Sequence, residues 1–201
     1  MHRGKQKNGA VRMRRLRLRA LPRAALLLCA ALLAALHMSA AAAAPTEYQV
    51  KAVFLYNFSR FVDWPAGSFS APNEPFVIGV LGADPFGERL DEAVRGEQVD
   101  QHPLIVRRFS DVAQIGDCRI LFIDSSEDAR LGQILAALDH HSVLTVSDVD
   151  GASERGVMIQ LATQDNRVRL RINVASARAA GLTISSNLLR LAQIVRSADG
   201  S

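Results

Sequence analysis

The sequence predicts a single three-layer α/β domain. Its sheet is mostly parallel, of about six strands, with a C-terminal antiparallel hairpin and helices on both faces. Three observations predict it. Four short apolar runs, Phe76–Leu81, Leu104–Val106, Ile120–Ile123 and Val143–Val146, alternate with segments of helical period. Strands buried on both faces read as continuous apolar runs, as parallel strands covered by crossover helices do. The pattern then changes at Val157–Leu161 and Val168–Ile172, which flank the turn residues Gln164-Asp165-Asn166 and read as a hairpin. Finally, no repeat and no linker divides residues 45–201, and 157 residues suit one core.

Each element has its own signal. Glu47 to Val62 reads as a helix because Val50, Phe54, Phe58 and Phe61 share one face, and Pro65 and Gly67 end it. The helix between the third and fourth runs opens at Ser125 and Asp128 in a capping-box-like pattern. Leu131, Ile134, Leu135 and Leu138 follow at i, i+3, i+4 and i+7. In the hairpin, Val168, Leu170 and Ile172 alternate with Arg167, Arg169 and Arg171, so one face is buried and the other wet. A last helix is expected from Ser185-Ser186, with Leu188, Leu191, Ala192 and Val195 as its core stripe and Leu189 and Ile194 off that stripe.

Residues 1–44 form a separate region. They hold nine of the 24 basic residues and none of the 20 acidic ones, with an apolar run from Ala24 to Leu36 and small residues Ala40–Ala44 before Pro45. A basic start, a short apolar core and a small-residue end are the parts of a secretory signal peptide. The reading is therefore a cleaved leader over 1–44, a mature domain over 45–201, and export to the periplasm. Cys29 lies inside the apolar run after Leu28, unlike a lipoprotein cysteine, and Arg14-Arg15 arises easily in so basic a segment. Without the leader the charge changes sign, because 15 basic residues face 20 acidic ones and leave −5. The whole-chain pI near 9.6 belongs to the leader, and an acidic domain argues against nucleic acid as a partner. One cysteine, Cys118, remains, so no internal disulfide forms; placed before an apolar strand, it reads as a buried thiol.

The search for chemistry returns little. Gly79-Val80-Leu81-Gly82-Ala83-Asp84-Pro85-Phe86-Gly87 follows a strand, but it has neither the spacing nor the Lys-Ser/Thr pair of a phosphate loop. His102, His140 and His141 have no metal-like spacing, and no serine sits in a nucleophile elbow. The sequence thus predicts neither catalysis nor a metal or cofactor. Two kinds of binding site remain. A small-ligand pocket would use Gly82, Asp84, Asp124 and Asp148 at the strand ends, where α/β proteins hold ligands. A partner surface would use the C-terminal segment, with Leu182, Leu189 and Ile194 as apolar contacts and Arg178 and Arg190 as rim charges. Trp64 joins that surface as a hot-spot residue type, or else caps the first helix.

The run Glu47-Tyr48-Gln49-Val50-Lys51-Ala52-Val53-Phe54-Leu55-Tyr56-Asn57-Phe58-Ser59-Arg60-Phe61-Val62-Asp63-Trp64-Pro65 resembles the opening signature of the YfiR-like family of periplasmic regulators. Ile78–Gly82 with Asp84–Gly87, Cys118–Ile123, Val143–Asp148 and Ala180–Leu191 extend the resemblance over nearly all of the domain. It implies a repressor that docks on the periplasmic sensor domain of an inner-membrane signalling protein, a diguanylate cyclase, and so lowers cyclic di-GMP and biofilm output. The alternative is a periplasmic small-ligand binding module without a cyclase partner, and a homodimer stays open in either case. Family members gated by redox stress use disulfides. A single mature cysteine departs from that pattern.

Overall fold

The computed structural model describes residues 44–197; the leader expected at 1–44 lies, but for Ala44, outside them. Helix α1 spans Glu47–Phe61 and starts from a complete capping box. The Thr46 hydroxyl accepts from the Gln49 N–H, and the Gln49 side chain accepts from the Thr46 N–H at 2.7 Å. The chain then makes the short strand β1 (Val62–Asp63), the inner strand β2 (Phe76–Leu81), helix α2 (Glu88–Val94), β3 (Gln98–Val99) and β4 (His102–Phe109). After β5 (Cys118–Ile123), a 3₁₀ segment over Ser125–Arg130 leads into α3 (Leu131–Ala137). The last part holds β6 (Leu144–Ser147), β7 (Ile159–Gln164), β8 (Arg167–Asn173), α4 (Val174–Ala179), β9 (Thr183–Ile184), α5 (Ser186–Leu189) and β10 (Ala192–Val195).

The main sheet has eight strands in the order β10-β8-β7-β6-β5-β2-β4-β3. Neighbours are parallel except at β7–β8 and β3–β4. The predicted hairpin is the β7–β8 pair, turned by Asp165 and Asn166, both at positive φ (49° and 57°). Two consecutive positive-φ residues are what a tight two-residue hairpin loop needs, and Asp and Asn tolerate them. A second, two-stranded sheet pairs β1 antiparallel with β9.

Two cores lie on opposite faces of the main sheet, and β2 shows how the sequence divides between them. Phe76, Ile78 and Val80 pack with α1 and α2, through Ala52, Leu55, Phe58, Leu90 and Val94. Val77 and Leu81 pack on the other face with Leu131, Ile134 and Leu138 of α3 and its end. This period-two division is why an unbroken apolar run is a strand here. The three-layer α/β fold is thus as the sequence predicts.

Three details differ. Only Phe58 of the four-residue α1 stripe is fully buried; the helix is rotated so that Lys51, Ala52, Leu55 and Ser59 join it, and Phe61 is exposed. The turn before α3 is capped by Asp124, whose carboxylate accepts from the Ser126 N–H at 2.9 Å, rather than by Ser125. The last helix is one turn only. After Leu189 the chain extends into β10, which pairs with β8; with the short β3 on β4, this gives the sheet eight strands rather than six. Leu191, read as core, is therefore 77% exposed. Tertiary pairing along β8 outweighs the helical spacing of this stretch, and Ile194-Val195 suits a strand better than a helix.

Candidate functional site

The strand order places the carboxyl ends of β2 and β5 at a topological switch, because β2 lies between β4 on one side and β5 on the other. Such crevices hold ligands in many α/β folds. Here the chain's own groups fill it. The Gly82 N–H donates to the Phe109 carbonyl at 3.2 Å, and the Asp124 N–H donates to the Leu81 carbonyl at 3.0 Å. Ser126 Oγ accepts from the Ala83 N–H at 3.0 Å. Gly82 has φ +94°, and a Cβ there would stand 2.7 Å from Ser126 Oγ and 2.8 Å from Glu127 Cγ. Glycine is needed both for that backbone conformation and for this approach.

The three carboxylates expected beside Gly82 do not converge on a common point. Asp84 accepts from the Phe86 N–H at 2.8 Å and from Arg108 Nε at 2.9 Å. Arg108 also pairs with Asp91 at 2.5 Å and donates to the Gly87 carbonyl at 2.9 Å, which holds the Asp91 carboxyl below the usual range. Asp124 is spent on its cap. Asp148 accepts from Lys51 Nζ at 2.7 Å and from the Tyr48 hydroxyl at 3.0 Å. Lys51 is 2% exposed and its ammonium also meets Glu47 at 2.6 Å and lies over the Tyr48 ring. Burial, then the Asp148 charge, push the Tyr48 hydroxyl well above its ordinary pKa. This network ties α1 to the end of β6. Hydrophobic periodicity does not single out Lys51; the glutamate four residues earlier, Glu47, is the signal in the sequence that points to its ion pairing.

Cys118 begins β5 and is fully buried. Burial pushes its thiol up to about 12. Its Sγ, the Phe109 ring and Leu121 crowd Gly79, where a Cβ would meet atoms at 2.8 Å, 2.8 Å and 3.0 Å. This is the protonated, inert thiol that the sequence suggests. Among the described residues no group of three His, Cys, Asp or Glu side chains is placed to hold a metal ion, and no helix is long and apolar enough to cross a membrane.

The residues proposed for a partner surface divide. Leu182 is 1% exposed and packs in the α1-side core, so it is unavailable to a partner. The β1–β9 pairing pulls it inward. The same pairing sets Trp64 beside this segment. Trp64 is half-buried, its ring edge-on to Phe76 with centroids 5.0 Å apart, and it lines a cleft of about 310 Å³ with Phe69 and His102. Leu189 is half-buried against the same core. Arg178 and Arg190 are exposed, the latter donating to Asn187 Oδ1. Ile194 is 52% exposed, and Leu191, three positions earlier, is the most open large apolar side chain described. The strand carrying Ile194 is held at its far end by Asn173, whose buried amide donates to Ser197 Oγ at 2.8 Å and to the Ser153 carbonyl at 2.9 Å.

The domain thus has a strand-end crevice occupied by its own groups, a buried thiol, and apolar side chains exposed near one sheet edge. The chain belongs to the YfiR/HmsC-like family, whose model matches residues 48–193. No curated protein matches it.

Proposed function

We propose that this protein is a periplasmic regulator that docks on the extracytoplasmic part of an inner-membrane signalling protein, a diguanylate cyclase, and holds it inactive. Residues 1–44 serve as the cleaved export signal and residues 45–201 act by binding, without catalysis. Family membership supports the regulatory role. The observation that carries the docking is the pair Leu191, in the turn just before the edge strand β10, and Ile194 within that strand, 77% and 52% exposed. Large apolar side chains exposed together on a small domain mark contact surfaces. Leu189, Arg178 and Arg190 extend this surface, whereas Trp64 lines the cleft with Val99 and His102 towards the opposite, β3–β4 edge of the sheet.

Deleting the gene in its native cell tests the reading. Cyclic di-GMP rises if the protein restrains a cyclase, and the wild-type gene restores the low level while a Leu191→Ser, Ile194→Ser double variant does not. Unchanged cyclic di-GMP, together with no inner-membrane protein recovered by crosslinking the tagged mature chain, overturns it.

A further inference from the structure

The two edges of the main sheet are built differently. At one edge, β3 covers only the first two residues of β4, and the open remainder carries Arg107 and Arg108, the latter fixed by Asp84 and Asp91. Charged residues on an edge are a common guard against strand pairing. At the other edge, β10 reads Ala192-Gln193-Ile194-Val195, with no charge and no proline, and β8 is its one strand neighbour among the described residues. Alternate peptide groups of such a strand face away from the sheet with no ladder partner. Ile194 lies in register with Ile172, and Gln193 with Arg171, so apolar and polar side chains flank the open edge on opposite faces.

Charge marks the same edge. Arg190 precedes β10 and Arg196 follows it, while Arg167 and Arg169 lie on the neighbouring strand β8. All four are exposed and make no ion pair among the described residues, in a domain whose net charge is −5. A basic rim on an acidic domain selects an acidic partner.

We infer that β10 accepts an extended segment of the partner protein as a ninth strand, one that carries acidic residues beside apolar ones. The inference rests on the docking reading above and specifies its geometry. Backbone pairing supplies affinity, Leu191 and Ile194 supply apolar contact, and the arginines select the acidic ends. A second copy of this chain fits poorly. Antiparallel self-pairing centred on Gln193 and Ile194 brings Arg190 of one copy and Arg196 of the other to the same end of the ladder, where like charges repel.

The test places a photoreactive benzoylphenylalanine, in turn, at Leu191, Gln193 and, as a control on the other edge, Arg107, in the full chain expressed in its native cell. Strand addition gives crosslinks from 191 and 193 to one protein, at sites two residues apart in a segment containing Asp or Glu. The Arg190→Glu, Arg196→Glu double variant abolishes these crosslinks without lowering the thermal unfolding midpoint of the purified domain. Attachment sites three or four residues apart, crosslinks from Arg107 alone, crosslinks to a second copy, or crosslinks that survive the charge reversal each overturn strand addition. The first two of these leave the docking reading standing. No crosslink to any membrane protein from any position sinks both.

Discussion

Replacing Lys51 or Asp148 tests whether the ion pair between α1 and the end of β6 is a structural tie. Their side chains are 3% and 6% exposed and the charged atoms are 2.7 Å apart. At an effective dielectric constant of about 20, the attraction at that distance is about 6 kcal/mol. Removing both charges from water costs several kcal/mol each, so the pair as a whole contributes little net stability. Removing one partner is different, because the other stays buried and uncompensated, at about 3–5 kcal/mol. The structure also fixes an asymmetry. Lys51 retains Glu47 at 2.6 Å when Asp148 is neutralised. Asp148 retains only the Tyr48 hydroxyl when Lys51 is removed, and its second oxygen, Oδ1, is already buried without a partner. Lys51→Met therefore costs about 4 kcal/mol and Asp148→Asn about 3. The Lys51→Met, Asp148→Asn double variant costs less than the sum of the two by at least about 2 kcal/mol. Urea unfolding of the four proteins, each as residues 45–201, at neutral pH, followed by circular dichroism, measures all three quantities. A coupling below about 0.5 kcal/mol, or Asp148→Asn as the costlier single change, refutes the reasoning.

Four further outcomes follow from named contacts. Gly79→Ala forces a methyl against Cys118, Phe109 and Leu121 and lowers stability by about 1–3 kcal/mol; adding Cys118→Ala recovers part of that loss in the same urea assay. The folded thiol titrates above its ordinary 9.0, at about 12, so its contribution is whole below pH 9 and fades as pH rises toward 12. Relative to Cys118→Ala at each pH, the wild-type domain loses about 2.7 kcal/mol by about pH 11; a constant difference contradicts the burial. Leu182→Ala costs about 2–5 kcal/mol in thermal unfolding, whereas Leu191→Ala stays within about 0.5, which inverts the sequence expectation of Leu182 as a partner contact and Leu191 as core. Conversely, Leu191→Ser with Ile194→Ser weakens partner capture about tenfold or more, as titration with the isolated periplasmic domain of the partner reads out, while Leu182 variants that remain folded leave it unchanged.

The sequence by itself determined the layers of this protein. Continuous apolar runs such as Phe76–Leu81 can be satisfied only by a strand covered on both faces, and the Asp165-Asn166 turn between alternating segments permits little but a tight hairpin. The long signature from Glu47 to Pro65 pointed to the YfiR-like family on residues alone. Tertiary structure decided the rest, and for one physical reason throughout: short segments carry too little local preference to choose their own environment. Leu188–Val195 satisfies a helical spacing, but the helix stops at Leu189 and the free side of β8 took Ala192–Val195 as a strand, which leaves Leu191 on the surface rather than in the core. Asp84, Asp124 and Asp148 all end strands, as ligand-binding carboxylates do. Whether each faced a cavity or a neighbouring group depended on Arg108, the Ser126 N–H and Lys51, which lie 24, 2 and 97 positions away. The Asp124 cap is local, but packing across 24 and 97 positions brings the other two partners together, and no periodicity along the chain records it.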